Sequence, residues 1–168
     1  MNVVNEPEVS KTTAWSYGLA VAVIAAFMIF FAFAGFFTPM ETGGIAASLL
    51  LVFIEIIMLL LLRSLYRTRY VLTDEELVIK TTKLIGGTKK IALNAIDSIE
   101  TTFIPVGVRL FGASFHGGYY RVPGLGRAFL AITNFHDGLL IKTKNRNYII
   151  TPKNRLDFKE AIETKMSF

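Results

Sequence analysis

A run of 23 residues, Trp15–Phe37, passes without a single charged side chain. As an α-helix at about 1.5 Å per residue it would be roughly 34 Å long, enough to cross a hydrocarbon core of about 30 Å. A helix buried in a small globular core seldom needs such a length. The run therefore favours a membrane-spanning helix over the core helix of a soluble protein.

A second apolar run, residues 44–62, contains one acid, Glu55. Its leucine, isoleucine, valine and phenylalanine side chains each favour insertion by about 0.3–0.6 kcal/mol, and one central acid costs about 3 kcal/mol. The free energy of inserting this run into the membrane is therefore still favourable. A short connection rich in turn formers joins the two runs, so the spans must be antiparallel. The sequence predicts a cytoplasmic tail over residues 1–14 and a transmembrane helical hairpin over 15–62, with spans at about 15–37 and 44–62.

The basic residues indicate the orientation of this hairpin. Lys11 precedes the first span, and three arginines follow the second, namely Arg63, Arg67 and Arg69. The connection between the spans has no lysine or arginine. Because positively charged flanks stay in the cytoplasm, we expect a multi-pass protein of the cell (inner) membrane with both termini cytoplasmic. The absence of cysteine excludes disulfides and thiolate metal sites, and it fits a reducing compartment.

The first run also allows two other interpretations. Ala32-Phe33-Ala34 resembles a signal-peptide cleavage site, but the apolar run is longer than the usual core of about 7–15 residues and continues past that site. Gly18, Ala22 and Ala26 recur at every fourth position. Such a stripe either lets another helix approach closely or is filler that faces lipid.

Glu55 is the one ionisable residue at membrane depth. An acid in that position is by default a functional hypothesis, such as a proton or cation site. The middle of the first span offers it no polar partner, which favours a neutral acid or one that pairs with another copy in a homo-oligomer. Transport chemistry at Glu55 is the alternative.

From Arg63 onward the chain carries 17 Lys and Arg against 9 Asp and Glu, and the apolar pattern becomes alternating, as in β-strands. The last element is predicted to be a helix, with Thr151 as N-cap and Pro152 at its first position. The strands do not alternate with helices as in a βαβ fold. The sequence therefore predicts an α+β domain at 67–168, a small antiparallel barrel or sandwich with a helical plug. The predicted strands are 69–72, 77–82, one or two within 89–99, 129–133, 138–143 and 148–150.

Three segments resemble the bacterial pleckstrin-homology (PH-like) domains. They are RYVLTDEELVIKT from Arg69, the glycine-rich RLFGASFHGGYYRVPGLG from Arg109, and LLIKTKNRNYIITPKNRLDFKEAI from Leu139. The resemblance covers residues 67–165. It implies a PH-like barrel of about seven strands capped by a C-terminal helix, often preceded by membrane helices, but it carries no activity.

The function expected from these features is that of a non-enzymatic, membrane-anchored interaction module without metal or cofactor. Its partner is a protein, anionic lipid or another copy, and nucleic acid is not expected. The partner-binding candidates line the glycine-rich edge: Arg109, Phe115, His116, Tyr119, Tyr120 and Arg121. The candidates for contact with anionic lipid are basic: Arg63, Arg67, Arg69, Lys83, Lys89 and Lys90. Two plainer interpretations remain. The glycines only make turns, and the basic residues form a face that is exposed to solvent.

A membrane enzyme or transport accessory that uses Glu55 or a pocket in the glycine-rich region is the alternative function. The first hairpin loop, Asp74-Glu75-Glu76, is acidic. Eukaryotic phosphoinositide-binding members of this superfold place basic residues there, so this chain is not expected to bind such a headgroup at that loop. The two histidines, 20 positions apart with no cysteine available, make a poor metal motif.

Overall fold

A computed structural model describes residues 3–37, 42–83, 85–105, 107–111 and 116–167. The chain divides into two compact units. One is Lys11–Arg63, and the other joins Met1–Ser10 to Ser64–Phe168.

Two long helices, α1 (Lys11–Phe37) and α2 (Thr42–Arg67), account for the apolar part of the chain. Both are long and apolar enough to cross a membrane. Only 6% and 17% of their most apolar windows are buried. The core helix of a soluble protein would be mostly buried instead. The observed helices extend beyond the predicted spans by a turn or so, into the polar flanks.

Six of the buried and half-buried positions of α2 recur at alternating spacings of four and three residues, at Gly44, Ser48, Leu51, Glu55, Met58 and Leu62. This spacing is typical of a helix face that packs against another helix. We call these six positions the seam face of α2. The small residues Gly18, Ala22 and Ala26 of α1 are exposed instead.

Four antiparallel strands form the first sheet of the other unit, in the order β1-β2-β3-β4. The strands are β1 (Val3–Asn5), β2 (Arg69–Leu72), β3 (Glu76–Lys80) and β4 (Lys89–Ala92). The predicted hairpin around residues 73–76 is confirmed. Its turn is closed by the Thr73 hydroxyl, which donates to the carbonyl of Glu76 and accepts from its amide.

The second sheet has six strands in the order β5-β9-β10-β8-β7-β6. All neighbours are antiparallel except β8 and β10, which are parallel. A short 3-10 helix, Leu93–Ala95, joins the two sheets. The remaining elements are β5 (Ile96–Phe103), β6 (Val108–Phe111), β7 (Gly117–Val122), β8 (Gly126–Ala131), β9 (Asp137–Thr143), β10 (Asn147–Ile150) and α3 (Arg155–Met166).

The α+β class is confirmed, but the sheets do not close into a barrel, and the described residues form ten strands instead of about seven. The physical reason lies at the junction between the sheets. Strand β4 pairs with β3, the 3-10 helix then turns the chain, and β5 pairs with β9 in the second sheet. The result is two open sheets packed face to face.

Residues 3–10 are part of this β-rich unit, although the sequence predicts a tail there. Strand β1 pairs with β2, and the amide of Glu8 donates to the carbonyl of Thr151 at 3.0 Å. The hydroxyl of Thr133 donates to the carbonyl of Glu8 at 2.7 Å. The segment therefore completes the edge of the first sheet, which its short polar sequence does not reveal.

The main core lies between the two sheets and under α3, with Phe129, Phe158 and Ile162 fully or almost fully buried. Tyr70 links the sheets. Its hydroxyl donates to the carbonyl of Ala131 at 2.8 Å and accepts from the amide of Thr151 at 3.3 Å. Burial raises the pKa of Tyr70 to about 12.

A second apolar cluster lies on the opposite face of the six-stranded sheet and includes Tyr120, Leu130 and Ile149. Ile104, on the connection from β5 to β6, packs against it. The central strands β8, β9 and β10 are thus buried on both faces, which explains the short continuous hydrophobic runs in their sequence.

The last helix begins at Arg155, so the predicted start at Pro152 is wrong. Thr151 uses its hydroxyl to accept a hydrogen bond from the amide of Thr133 instead of capping a helix. Pro152 forms an isolated bridge with Pro7. Tertiary partners from the N-terminal segment and from the residues that follow β8 have taken the place of the expected cap.

Candidate functional site

Strand β7 carries three of the six residues predicted to bind a partner, and the alternation of side chains along the strand places them on different faces of the sheet. Tyr119 packs against the main core, whereas Tyr120 belongs to the second cluster on the other face of the sheet. Adjacent side chains on a strand point to opposite faces. The two tyrosines therefore do not form one aromatic wall.

Two cations converge on Tyr119. The Lys89 Nζ lies 5.2 Å from the centre of the Tyr119 ring, and the guanidinium carbon of Arg146 lies 4.7 Å from it. The Lys89 Nζ is also 5.2 Å from the centre of the Phe129 ring, which packs edge-on against Tyr119. We call Lys89, Tyr119 and Arg146 the basic-aromatic cluster.

The two sheets bring this cluster together from distant parts of the sequence. In the first sheet Lys89 pairs with Ile79 and so points to the core side, at the edge strand β4. Arg146 lies in the turn between β9 and β10. Gly86 precedes Lys89 with a φ of +129°, and a Cβ there would lie 2.8 Å from the Phe129 ring. Glycine therefore lets the loop before β4 approach the aromatic floor of the cluster.

Arg121 and Arg127 extend the basic surface beyond the cluster. They are direct partners across β7 and β8, and both are exposed. Both lie two positions along their strands from Tyr119 and Phe129, on the same face of the sheet. Like charges directly opposite each other on a sheet destabilise it. We call these two residues the arginine pair.

The cations change the electrostatics of the phenol. Partial burial raises the pKa of Tyr119, but hydrogen bonds and positive charge from Lys89, followed by Arg146, outweigh burial and lower the pKa below its usual value. In the described part of the chain, none of Lys89, Arg121, Arg127 and Arg146 makes a salt bridge with a carboxylate. Six other cations do: Arg69, Lys90, Lys142, Arg155, Lys159 and Lys165.

The other predicted partner-binding residues lie elsewhere. Arg109 pairs with Tyr120 across β6 and β7, and its Nε and Nη2 donate to the Tyr120 hydroxyl at 3.1 and 2.9 Å. His116 is buried beside the Phe135 ring, with ring centres 5.1 Å apart. Phe115 lies outside the described residues. Arg121 is the one candidate on this list, besides Tyr119, that joins the basic surface.

The residues predicted to contact lipid also separate into different environments. Lys90 pairs with Glu76 at 2.9 Å, and Arg69 pairs with Glu6 at 3.7 Å. Three others are exposed, namely Arg63, Arg67 and Lys83. Of the six, Lys89 is the one in the basic-aromatic cluster. The sequence did not single out Arg127, and it did not indicate that Arg146 lies near Lys89, because this proximity depends on how the sheets pack.

Glu55 lies on the seam face of α2 and is only 9% exposed. Its Oε2 atom is buried without a hydrogen-bond partner among the described residues.

A polar cavity of about 340 Å³ lies at the start of α3, lined by Glu8, Asp137, Lys153 and residues 154–157. Its charges are mixed, and Arg155 already pairs with Asp137 at 3.2 Å. This cavity lacks a concentration of one charge, in contrast to the basic surface around Tyr119. Nor does any group of three His, Asp or Glu side chains in the described ranges come together to hold a metal ion.

The comparisons with known proteins identify the domain. The model of the family described as Bacterial PH domain matches residues 68–166, more than half of the chain. The chain belongs to the bacterial PH domain family. Neither the curated proteins nor the solved structures gave a match.

The family match confirms the predicted PH-like domain. It begins directly after α2, so the bacterial PH domain follows two helices that are long and apolar enough to cross a membrane. The match leaves out residues 3–10, which contribute β1 and several hydrogen bonds to the folded unit. In this chain the folded unit is therefore larger than the matched segment.

Proposed function

We propose that this protein is a non-enzymatic, membrane-anchored interaction module. Its helical hairpin spans the cell membrane, and its bacterial PH domain meets a protein, anionic lipid or another copy at the cytoplasmic surface. The observation that carries this proposal is the direct succession of two exposed apolar helices and a family-defined PH domain.

The N-terminal segment supports a hairpin with both ends on one side. Residues before α1 and after α2 belong to the same compact unit, with the amide of Ser10 donating to the carbonyl of Thr133 at 3.3 Å. A folded unit lies on one side of a membrane, so the chain must cross an even number of times between its two parts. Cleavage after Ala34 would remove β1, which argues against a signal peptide.

Charge supports the cytoplasmic side. The chain from Arg63 onward carries a surplus of basic residues, and anionic lipids of the inner leaflet attract each of them by about 1 kcal/mol near the surface. Tethering keeps the domain at high local concentration beside this leaflet, so even weak contacts become effective.

The orientation is testable by cysteine labelling, because the natural chain has no cysteine. We would introduce Glu41→Cys in the connection between the helices and Lys144→Cys in the exposed turn between β9 and β10. A membrane-impermeant maleimide should label the first variant in intact cells and the second only after permeabilisation. The cysteine-free parent is the background control, and the opposite labelling pattern would refute the cytoplasmic placement.

A further inference from the structure

We propose that the basic-aromatic cluster binds a phosphate group, with the arginine pair as flanking cations. The group is carried either by the headgroup of an anionic lipid or by a soluble phosphate compound. The lipid source rests on the proposed membrane anchoring, and the soluble source does not.

The geometry is that of an incomplete ion site. Lys89 and Arg146 approach the same phenol ring from different elements, at 5.2 and 4.7 Å from its centre. The positive charge of both lowers the pKa of the Tyr119 hydroxyl. A neutral hydroxyl oxygen balances neither charge, and no carboxylate among the described residues forms a salt bridge with them. An anion bound by these cations would supply the missing charge.

Phosphate fits the available donors. An arginine fork, a lysine ammonium and a phenol hydroxyl together match a tetrahedral oxyanion, since guanidinium binds two oxygens at once and ammonium acts as a point charge. The rings of Tyr119 and Phe129 hold the cations in place by cation–π contact. The arginine pair adds two positive charges on the same face of the sheet.

A purely structural role explains only part of this arrangement. An inward-pointing charge on an edge strand prevents edge-to-edge aggregation, and Lys89 on β4 has that position. That role needs one charge. It accounts neither for Arg146 over the same ring nor for two arginines directly opposite each other at positions 121 and 127.

The first experiment uses the full chain in a neutral detergent with inorganic phosphate as the probe. Phosphate should raise the thermal unfolding midpoint in a saturable manner. Lys89→Gln and Arg146→Gln should each weaken apparent binding by about tenfold or more, because each removes a charge-assisted hydrogen bond. Lys144→Gln is the matched control. It removes the same charge from the same exposed turn, and it should bind phosphate like the parent.

The second experiment uses the full chain in phosphatidylcholine nanodiscs with and without phosphatidic acid. An environment-sensitive dye on Asn145→Cys, in the turn beside Arg146, reports occupancy. A response to phosphatidic acid that Lys89→Gln and Arg146→Gln abolish assigns the lipid headgroup as the source. If phosphate raises the unfolding midpoint in detergent but phosphatidic acid does not change the dye signal, the ligand is a soluble phosphate compound.

Two results would overturn the proposal. One is the absence of any response to phosphate and to phosphatidic acid, and the other is an equal loss in Lys144→Gln, which would mean that net charge alone acts. Tyr119→Phe tests the site with little risk of misfolding, since it keeps the ring packed on Phe129 and removes only the hydroxyl. It should weaken phosphate binding several-fold. A failure of the labelling test would remove the membrane anchoring but leave the detergent experiment valid.

Discussion

His116 directly precedes strand β7, with only 2% of its surface exposed. Burial lowers its pKa to about 4, from an ordinary value near 6.5. The unfolded chain therefore binds a proton between these two values, while the folded chain does not. By linkage, stability is complete above about pH 6.5 and falls as the pH drops toward 4.

We expect the domain to lose about 2–3 kcal/mol of stability between pH 7 and pH 4 through His116, since one pKa unit corresponds to about 1.4 kcal/mol. His116→Gln should flatten this part of the profile, measured as denaturant unfolding followed by tyrosine circular dichroism. The exposed His136, changed to Gln, is the control. A profile unchanged by His116→Gln would contradict the assignment.

Tyr70 is the residue whose hydroxyl joins the two sheets, through Ala131 and Thr151. Tyr70→Phe keeps the ring in the core but leaves a buried carbonyl and a buried amide without this partner. We expect a loss of about 1–3 kcal/mol in the free energy of unfolding. Tyr66→Phe, at an exposed position before β2, should change it by much less, and equal effects would argue against the link.

At the scale of elements, the N-terminal segment acts as an added edge strand. Deletion of residues 2–8 removes β1 and the bonds of Glu8, exposing the edge of β2. We expect a lower unfolding midpoint and faster proteolysis of the domain, measured on the membrane-reconstituted protein. Val4→Ala is the control, because its side chain is 61% exposed and its backbone pairing is retained. Equal protease resistance of the deletion variant would show that the segment is dispensable.

Helix α2 carries its acid on the seam face, where the buried Oε2 atom has no hydrogen-bond partner among the described residues and so weakens packing. We expect Glu55→Leu to raise the stability of the hairpin in detergent. If the acid instead pairs with another copy, which the sequence allows, the change should weaken self-association, so crosslinking is measured in parallel. Greater stability with unchanged oligomers assigns the acid to the interior of one hairpin. Fewer oligomers without greater stability assign it to a contact between copies.

For the whole molecule, the two apolar helices dominate its partition between membrane and water. We expect the full chain to stay in the membrane fraction after washing with high salt and with alkaline carbonate, and to leave it only in detergent. Salt would release a protein held by its basic surface alone, because such attraction is screened. Recovery of monomeric protein from aqueous buffer without detergent would refute the membrane anchoring.

The sequence alone was sufficient to predict the features of the fold that depend on the local pattern of residues. Uninterrupted apolar length predicts α1 and α2, and alternation with turn residues predicts the hairpins around residues 73–76 and 144–147. The resemblance to bacterial PH domains added the family. Each of these signals is carried by neighbouring residues, so no tertiary contact is needed to recognise it.

Only the tertiary structure decided which distant residues meet. Strands β6 and β7 read as glycine-rich turns, yet they form ladders because partner strands satisfy their backbone groups. Strand β1 exists because β2 offers an open edge. Lys89 and Arg146 share one tyrosine although they lie far apart in the sequence. Strand register and sheet packing bring these residues together, and neither can be read from the local order of side chains.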